Sequence, residues 1–140
     1  VDMKRFEFAE HTADIIVRGY GETIEEAFAA VAEGMFAVMT DRSPVACRSE
    51  ISLAVESIDR EALLITFLSK LIVLFEVEGV VLAEITVKFT GPDRLQATGL
   101  GEPFDRTKHG HGIVVKGASY HMLTIQEKSG DCMAQVLLDI

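Results

Sequence analysis

Four side chains able to bind a cation or accept a proton stand within five positions near the start of the chain: Glu10, His11, Thr12 and Asp14. They fall between two runs of strand type, Lys4–Ala9 and Ile15–Tyr20, and a strand connection this rich in ligating atoms is where function tends to gather. The far end is acidic too, closing on Asp139-Ile140, so a side-chain carboxylate is followed at once by the main-chain one. Only a fold that carries the first strand connection to the end of the last strand can join them. Three carboxylates would then converge. Two ionised carboxylates about 4 Å apart repel by about 4 kcal/mol at an effective dielectric near 20, so three such pairs cost on the order of 12 kcal/mol, which a divalent cation removes. Ligation by oxygen alone selects hard ions such as Ca²⁺, Mg²⁺ or Mn²⁺. The alternative is a solvated Asp14 capping a turn and a terminus without a role. His11 has three readings: a ligand, a support for a ligand, or a turn residue bonding its own backbone.

Lys116 interrupts the apolar run Ile113–Ala118 and is either a solvated strand lysine or a counter-charge to nearby carboxylates. Strand neighbours alternate, so Lys116 shares a face with Tyr120 and His121 takes the other. Gly117 hints at a bulge or a close backbone approach. Further on, Asp105, His109 and His111 resemble a metal cluster, but glycines beside the histidines preorganise ligands poorly, and the histidines read as solvated. Glu102 opens the same loop as a rim element, with no paired base to make it a catalytic acid. Gly99-Leu100-Gly101 lacks the third glycine, the helix and the lysine of a phosphate loop. Neither a serine elbow nor a Cys/His pair is present. The chain can hold a cation and has little with which to perform a reaction, so no enzyme activity is expected.

The elements that must position these residues follow from pattern. Thr23-Ile24-Glu25-Glu26 forms a capping box. The apolar stripe Ile24, Ala27, Phe28, Val31, Met35, Val38 and Met39 predicts a helix over Ile24–Met39, ended by Asp41–Pro44. Arg48–Ser57 alternates as a strand. Asp59 caps a second helix from Arg60 to about Val77, stopped by Gly79 and apolar nearly all round, hence buried on several sides or covered in part by a partner. Val80–Thr90 and Arg94–Leu100 form a hairpin around Gly91-Pro92-Asp93, and Ile113–Lys128 with Cys132–Asp139 form another around Ser129-Gly130-Asp131. Gly101–Gly112 is a polar loop. The order ββαβαββββ calls for an α+β two-layer domain, a mainly antiparallel sheet packed by two helices, as a single domain over residues 1–140.

The totals narrow the function. A net charge of −9 and pI near 4.8 argue against direct nucleic-acid binding and favour a basic partner or a cation. Mean hydropathy of +0.27 implies a large core or an apolar surface kept for a partner. Cys47 and Cys132 have no CxxC spacing and read as two buried small hydrophobes in a reducing cytoplasm. No signal peptide is expected. The longest apolar run, Ala62–Phe75, contains Thr66, Ser69 and Lys70 and is too short and polar for a bilayer, so no membrane role is expected.

Phe8-x-Glu10-His11-Thr12-Ala13-Asp14-Ile15 resembles the opening signature of the archeases. So do Glu25-Glu26-Ala27-Phe28, Met35-Phe36, Met39-Thr40-Asp41, Leu63-Leu64, Gly101-Glu102-Pro103-Phe104-Asp105, the Lys116…Tyr120-His121 segment and the closing Asp139-Ile140, nearly end to end. The resemblance implies an accessory protein of the RtcB-type RNA ligase that promotes its GTP-dependent guanylylation and multiple turnover in tRNA splicing or RNA repair. It implies a metal site at Asp14, Asp139 and the Ile140 carboxylate, holding calcium in a crystal and magnesium or manganese in function. His11, Lys116, Glu102 and His121 would lie near the partner or its nucleotide. Where the family commonly has an acidic residue two places before the lysine and alanine after it, this chain has Val114 and Gly117. Two rival functions are a general chaperone-like interaction module and a metal-dependent hydrolase with His11 as base.

Overall fold

A computed structural model describes residues 5–11, 14–40, 45–110 and 112–140. In chain order the elements are β1 (Arg5–His11), β2 (Asp14–Gly21), α1 (Ile24–Met39), β3 (Ser49–Glu56), α2 (Arg60–Glu78), β4 (Val80–Gly91), β5 (Arg94–Pro103), α3 (Arg106–His109), β6 (Gly117–Lys128) and β7 (Asp131–Asp139). The class is α+β, with two antiparallel sheets in the orders β1-β2-β7-β6 and β3-β5-β4. The strands divide because β7 returns to lie between β2 and β6, while β5 is flanked on both sides by β3 and β4.

Local chemistry sets the helix limits. Thr23 Oγ1 accepts the Glu26 N–H at 3.1 Å, and the Glu26 carboxylate accepts the N–H groups of Glu22 and Thr23 at 2.7 and 3.4 Å. Two of the orphan donors at the start of α1, Thr23 and Glu26, are thereby satisfied. Asp59 accepts the Ala62 N–H at 2.7 Å to start α2. Gly79, at φ 66°, ends it in the left-handed region that glycine enters without steric cost. Asp41–Pro44, the expected stop of α1, lie outside the described residues.

Helix α1 ties the sheets together. On one side it rests on β2 at backbone distance: a Cβ at Gly19 would stand 2.5 Å from the Ala27 carbonyl oxygen and 2.6 Å from the Val31 nitrogen. On the other, Glu33 and Glu25 accept the N–H groups of Ile85 and Phe89 at 2.9 and 2.8 Å. Eight helical residues rise about 12 Å and four strand residues about 13 Å, so the spacings match. These carboxylates cap the outer edge of β4, which would otherwise present free donors. Gly19→Ala has no room because backbone cannot yield. It is expected to cost about 2 kcal/mol and lower the melting temperature by about 8 °C, read by calorimetry.

The core runs through both layers, with Phe28, Met35, Leu63, Leu64, Phe67, Leu68, Leu71, Val136 and Leu138 buried. Helix α2 is not buried all round: Val73 and Val77 face outward at 53% and 77% exposure. Cys132 is buried but Cys47 is exposed, so the expectation of two core cysteines fails for Cys47, which precedes β3. Among the described residues no helix is long and apolar enough to cross a membrane.

Candidate functional site

One row of residues crosses the whole end of the first sheet. His11 pairs with Asp14, Asp14 with Asp139, and Asp139 with Gly117. Residues directly opposite on antiparallel strands point to one face with Cβ atoms about 4.5–5.5 Å apart. Asp14 and Asp139, 125 positions apart in sequence, are therefore neighbours. The Lys116 N–H donates to the Asp139 carbonyl at 2.7 Å, tying the entry of β6 to the end of β7. The Ile140 side chain packs against the core, which anchors the residue following Asp139. Among the described residues no three His, Cys, Asp or Glu side chains converge as a metal site. The row supplies two side-chain carboxylates, and a third oxygen donor has to come from the main chain. That donor set suits a hard cation. Lys116 is exposed beside this row. For His11 the register alone is described; Thr12 lies outside the described residues.

The neighbouring part of β6 departs from expectation. Ser119 pairs with Leu137 and Thr124 with Gln135, so five positions on β6 span two on β7. The intervening residues bulge, Met122 takes φ 62°, and Tyr120, His121 and Met122 are all exposed. Alternate facing of Tyr120 and His121 was inferred from a regular strand, and the slipped register removes its basis. The His121 N–H donates to Ser119 Oγ at 3.0 Å. A polar chain pins the bulge from the sheet. Gln135 Nε2 donates to the Met122 carbonyl at 2.8 Å, Arg18 Nε to Gln135 Oε1 at 2.7 Å, and Arg18 Nη1 reaches Glu7 at 3.5 Å. The Tyr20 hydroxyl donates to Glu7, and chiefly this bond holds the Glu7 carboxyl below its ordinary pKa. Gly117 itself pairs in register with Asp139 and a Cβ there would meet nothing within 4 Å, so neither the bulge nor the close approach expected of it falls at that residue.

A second cluster forms where the sequence suggested a solvated loop. Asp105 accepts the Thr107 N–H at 2.9 Å and starts the short helix α3. This turns His109 inward, where it is fully buried, 5.7 Å from the Phe104 ring in a stacked arrangement. Its Nδ1 accepts the Asp105 N–H at 2.9 Å, which assigns the proton to Nε2, and Nε2 donates to Glu102 at 2.8 Å. Glu102, 3% exposed, also accepts from the Ala46 N–H at 2.8 Å and from Lys108 Nζ at 2.7 Å. The Ala46 bond first, then Lys108 and His109, hold its carboxyl at a pKa of about 2. The reading of His109 as solvated is thus corrected, and Glu102 is a buried fastener of the loop instead of an exposed rim acid. His111 lies outside the described residues. The missed signal was local: Asp105-x-Thr107 is an N-cap pattern that turns the loop back on itself.

Comparison with known proteins gives concordant results. The profile of the Archease protein family (MTH1598/TM1083) matches residues 6–140. Protein archease of Thermococcus gammatolerans is 44% identical over 142 aligned residues, covering 99% of this chain and 100% of that protein. Protein archease of Pyrococcus furiosus is 41% identical with the same coverage. The solution structure of protein 1598 of Methanobacterium thermoautotrophicum superimposes with a TM-score of 0.77 at 31% identity, over 96% of this chain and 98% of that one. The fold is shared with a Thermotoga maritima crystal structure described as an archease and possible chaperone, with a TM-score of 0.64 at 20% identity over 94% of each chain.

Proposed function

The chain belongs to the archease family, and from that premise we propose that it is an accessory protein which activates an RtcB-type RNA ligase, promoting its GTP-dependent guanylylation and repeated turnover. The observation that carries the proposal is the cross-strand pairing of Asp14 with Asp139 at the end of the first sheet. These two side chains and the Ile140 carboxylate would hold a divalent cation: calcium, magnesium or manganese. An ion held there would supply positive charge to phosphate oxygens of the ligase's nucleotide. Asp14 and Asp139 would fix its place because β2 and β7 pair without a break from Asp14–Asp139 to Gly21–Cys132. Lys116, exposed and tethered through its N–H to Asp139, adds an ammonium that offsets phosphate charge. The exposed His121 on the bulge of β6 borders the same approach. The net charge of −9 disfavours RNA as a direct ligand and suits a basic protein surface.

The test is transfer of GMP from GTP to the purified ligase, with this protein present or absent and with the cation varied. Asp139→Ala, or a short extension after Ile140, is expected to return guanylylation to the rate of the ligase alone while circular dichroism stays unchanged. Full stimulation by both variants would remove the metal-site mechanism. A chaperone-like interaction module is the second reading, favoured by the outward Val73, Val77, Ile113 and Val114. Suppression of aggregation of unrelated proteins, unaffected by Asp14→Ala, decides for it.

A further inference from the structure

Two apolar side chains are buried on the face of the first sheet that turns away from α1. Gly19 abuts α1, so Ile16, Arg18 and Tyr20 of the same strand turn to the other face. The register sets Leu137, Gln135 and Met133 of β7 opposite them, on that outer face as well. Ile16 and Leu137 oppose each other there, each 4% exposed, and both stand outside the main core cluster. The bulge of β6 covers them. β6 leaves β7 after Ser119, opposite Leu137, and rejoins it at Thr124, opposite Gln135. Between those points the Met122 carbonyl accepts from Gln135 Nε2, so the bulge lies across the Ile16–Leu137 pair. One row further, about 7 Å along the strands, stand Asp14 and Asp139.

The shape of the bulge is strained, and the sheet enforces it. Met122 takes φ 62°, a left-handed backbone that a residue with a side chain keeps only where its surroundings impose it. Ser119 Oγ accepts the His121 N–H at 3.0 Å, and Gln135 Nε2 donates to the Met122 carbonyl at 2.8 Å. Arg18 Nε donates to Gln135 Oε1 at 2.7 Å, which fixes the amide with its NH₂ group toward the bulge. Held this way, the bulge presents Tyr120 at 57% exposure, Met122 at 41% and the exposed His121. Covering two apolar side chains calls for inward groups. Outward tyrosine and methionine suit a protein partner, since both types are enriched in interfaces.

We propose that Gln135 is a positioning residue for the ligase contact. Through the Met122 carbonyl it holds the β6 bulge in the shape that offers Tyr120, His121 and Met122 to the ligase beside the acidic row. This role rests on the ligase reading given above, and it separates two tasks on one face: the carboxylate row holds the cation, and the bulge sets the affinity for the partner.

The test is GMP transfer from GTP to the purified ligase over a concentration series of this protein, with hydrogen exchange across residues 119–124 followed in parallel. Gln135→Glu keeps the length of the side chain and an acceptor for Arg18, but has no N–H for the Met122 carbonyl. It is expected to speed exchange in the bulge, and to raise the concentration for half-maximal stimulation, by about tenfold each. The maximal stimulated rate and the calcium-induced rise in melting temperature are expected to stay at wild-type values, since Asp14 and Asp139 remain paired. Tyr120→Ser combined with Met122→Asn removes the exposed side chains, and asparagine tolerates the left-handed backbone. This double variant is expected to show the same loss of affinity without faster exchange. Circular dichroism confirms that each variant folds. Faster exchange in Gln135→Glu with unchanged half-maximal stimulation overturns the role and leaves the bulge a cover for Ile16 and Leu137. Unchanged exchange overturns it too, because the bulge is then held by other groups, and so does a lost calcium response. A wild type that fails to stimulate the ligase removes the ligase reading and this role together, a result distinct from a stimulating wild type with indifferent variants.

Discussion

His109→Ala is expected to destabilise the protein by about 3 kcal/mol, because it empties a fully buried ring position and strips a hydrogen bond from a buried carboxylate at the same time. The Phe104 ring loses its stacking partner and the Asp105 N–H loses its acceptor. Glu102 then keeps Ala46 and is tied to α3 through the half-exposed Lys108 alone. For a chain of this length the melting temperature should fall by about 10 °C. The same cluster has a pH signature of definite sign. Folding lowers the Glu102 pKa from 4.5 to about 2, so its contribution is complete above pH 4.5 and is lost as the pH falls toward 2. Glu102→Gln should therefore be less stable than wild type at neutral pH, with the difference closing between pH 4.5 and 2. Melting curves taken across that range check it. A difference that stays constant with pH would show that the carboxylate's charge has no part in fastening the loop.

The parts of the fold written in local sequence were legible. Helix α1 spans Ile24–Met39, its predicted range, because Thr23 and Glu26 define its start and its apolar stripe has a helical period. Helix α2 begins at Arg60 after the Asp59 cap and runs one residue beyond the predicted Val77. Strand pairing was less legible, since a hairpin turn names only the nearest partner. Nothing local announces that β7 pairs with β2, more than a hundred residues away, or that the sheet divides. The proximity of Asp14 and Asp139 depends on that pairing, so composition and periodicity could state it only as a condition. The resemblance to a family supplied what they could not. The bulge at Tyr120–Met122 was hidden for another reason. It is held by Gln135 and Arg18 from neighbouring strands, and its left-handed residue is methionine, a type that carries no turn signal. His109 misled because the glycines near it suggested solvent, while its burial is decided by a carboxylate seven positions earlier.

Removing a charge at the end of the first sheet is expected to abolish the protein's response to a chelator. Two carboxylates opposed across β2 and β7 repel one another, by up to about 4 kcal/mol at 4 Å and an effective dielectric of 20, and by about 1 kcal/mol where water screens them fully. If the pair forms the proposed site, wild-type protein in chelator is expected to bear this repulsion. A saturating divalent cation is then expected to relieve it and to add binding energy, about 2.7 kcal/mol at a hundredfold excess over the dissociation constant, or about 10 °C in melting temperature. Asp139→Asn keeps the shape of the side chain and removes the charge. In chelator this variant should melt a few degrees above wild type, and added calcium, magnesium or manganese should no longer raise it. Asp14→Asn should behave alike, since the register makes the two positions equivalent partners. Lys116→Met serves as the contrast: it leaves both carboxylates in place, so its cation response should persist while ligase guanylylation falls. If both asparagine variants lose stability in chelator and keep the full cation-induced rise, the two carboxylates neither repel nor share an ion, and the chemistry belongs elsewhere in the molecule.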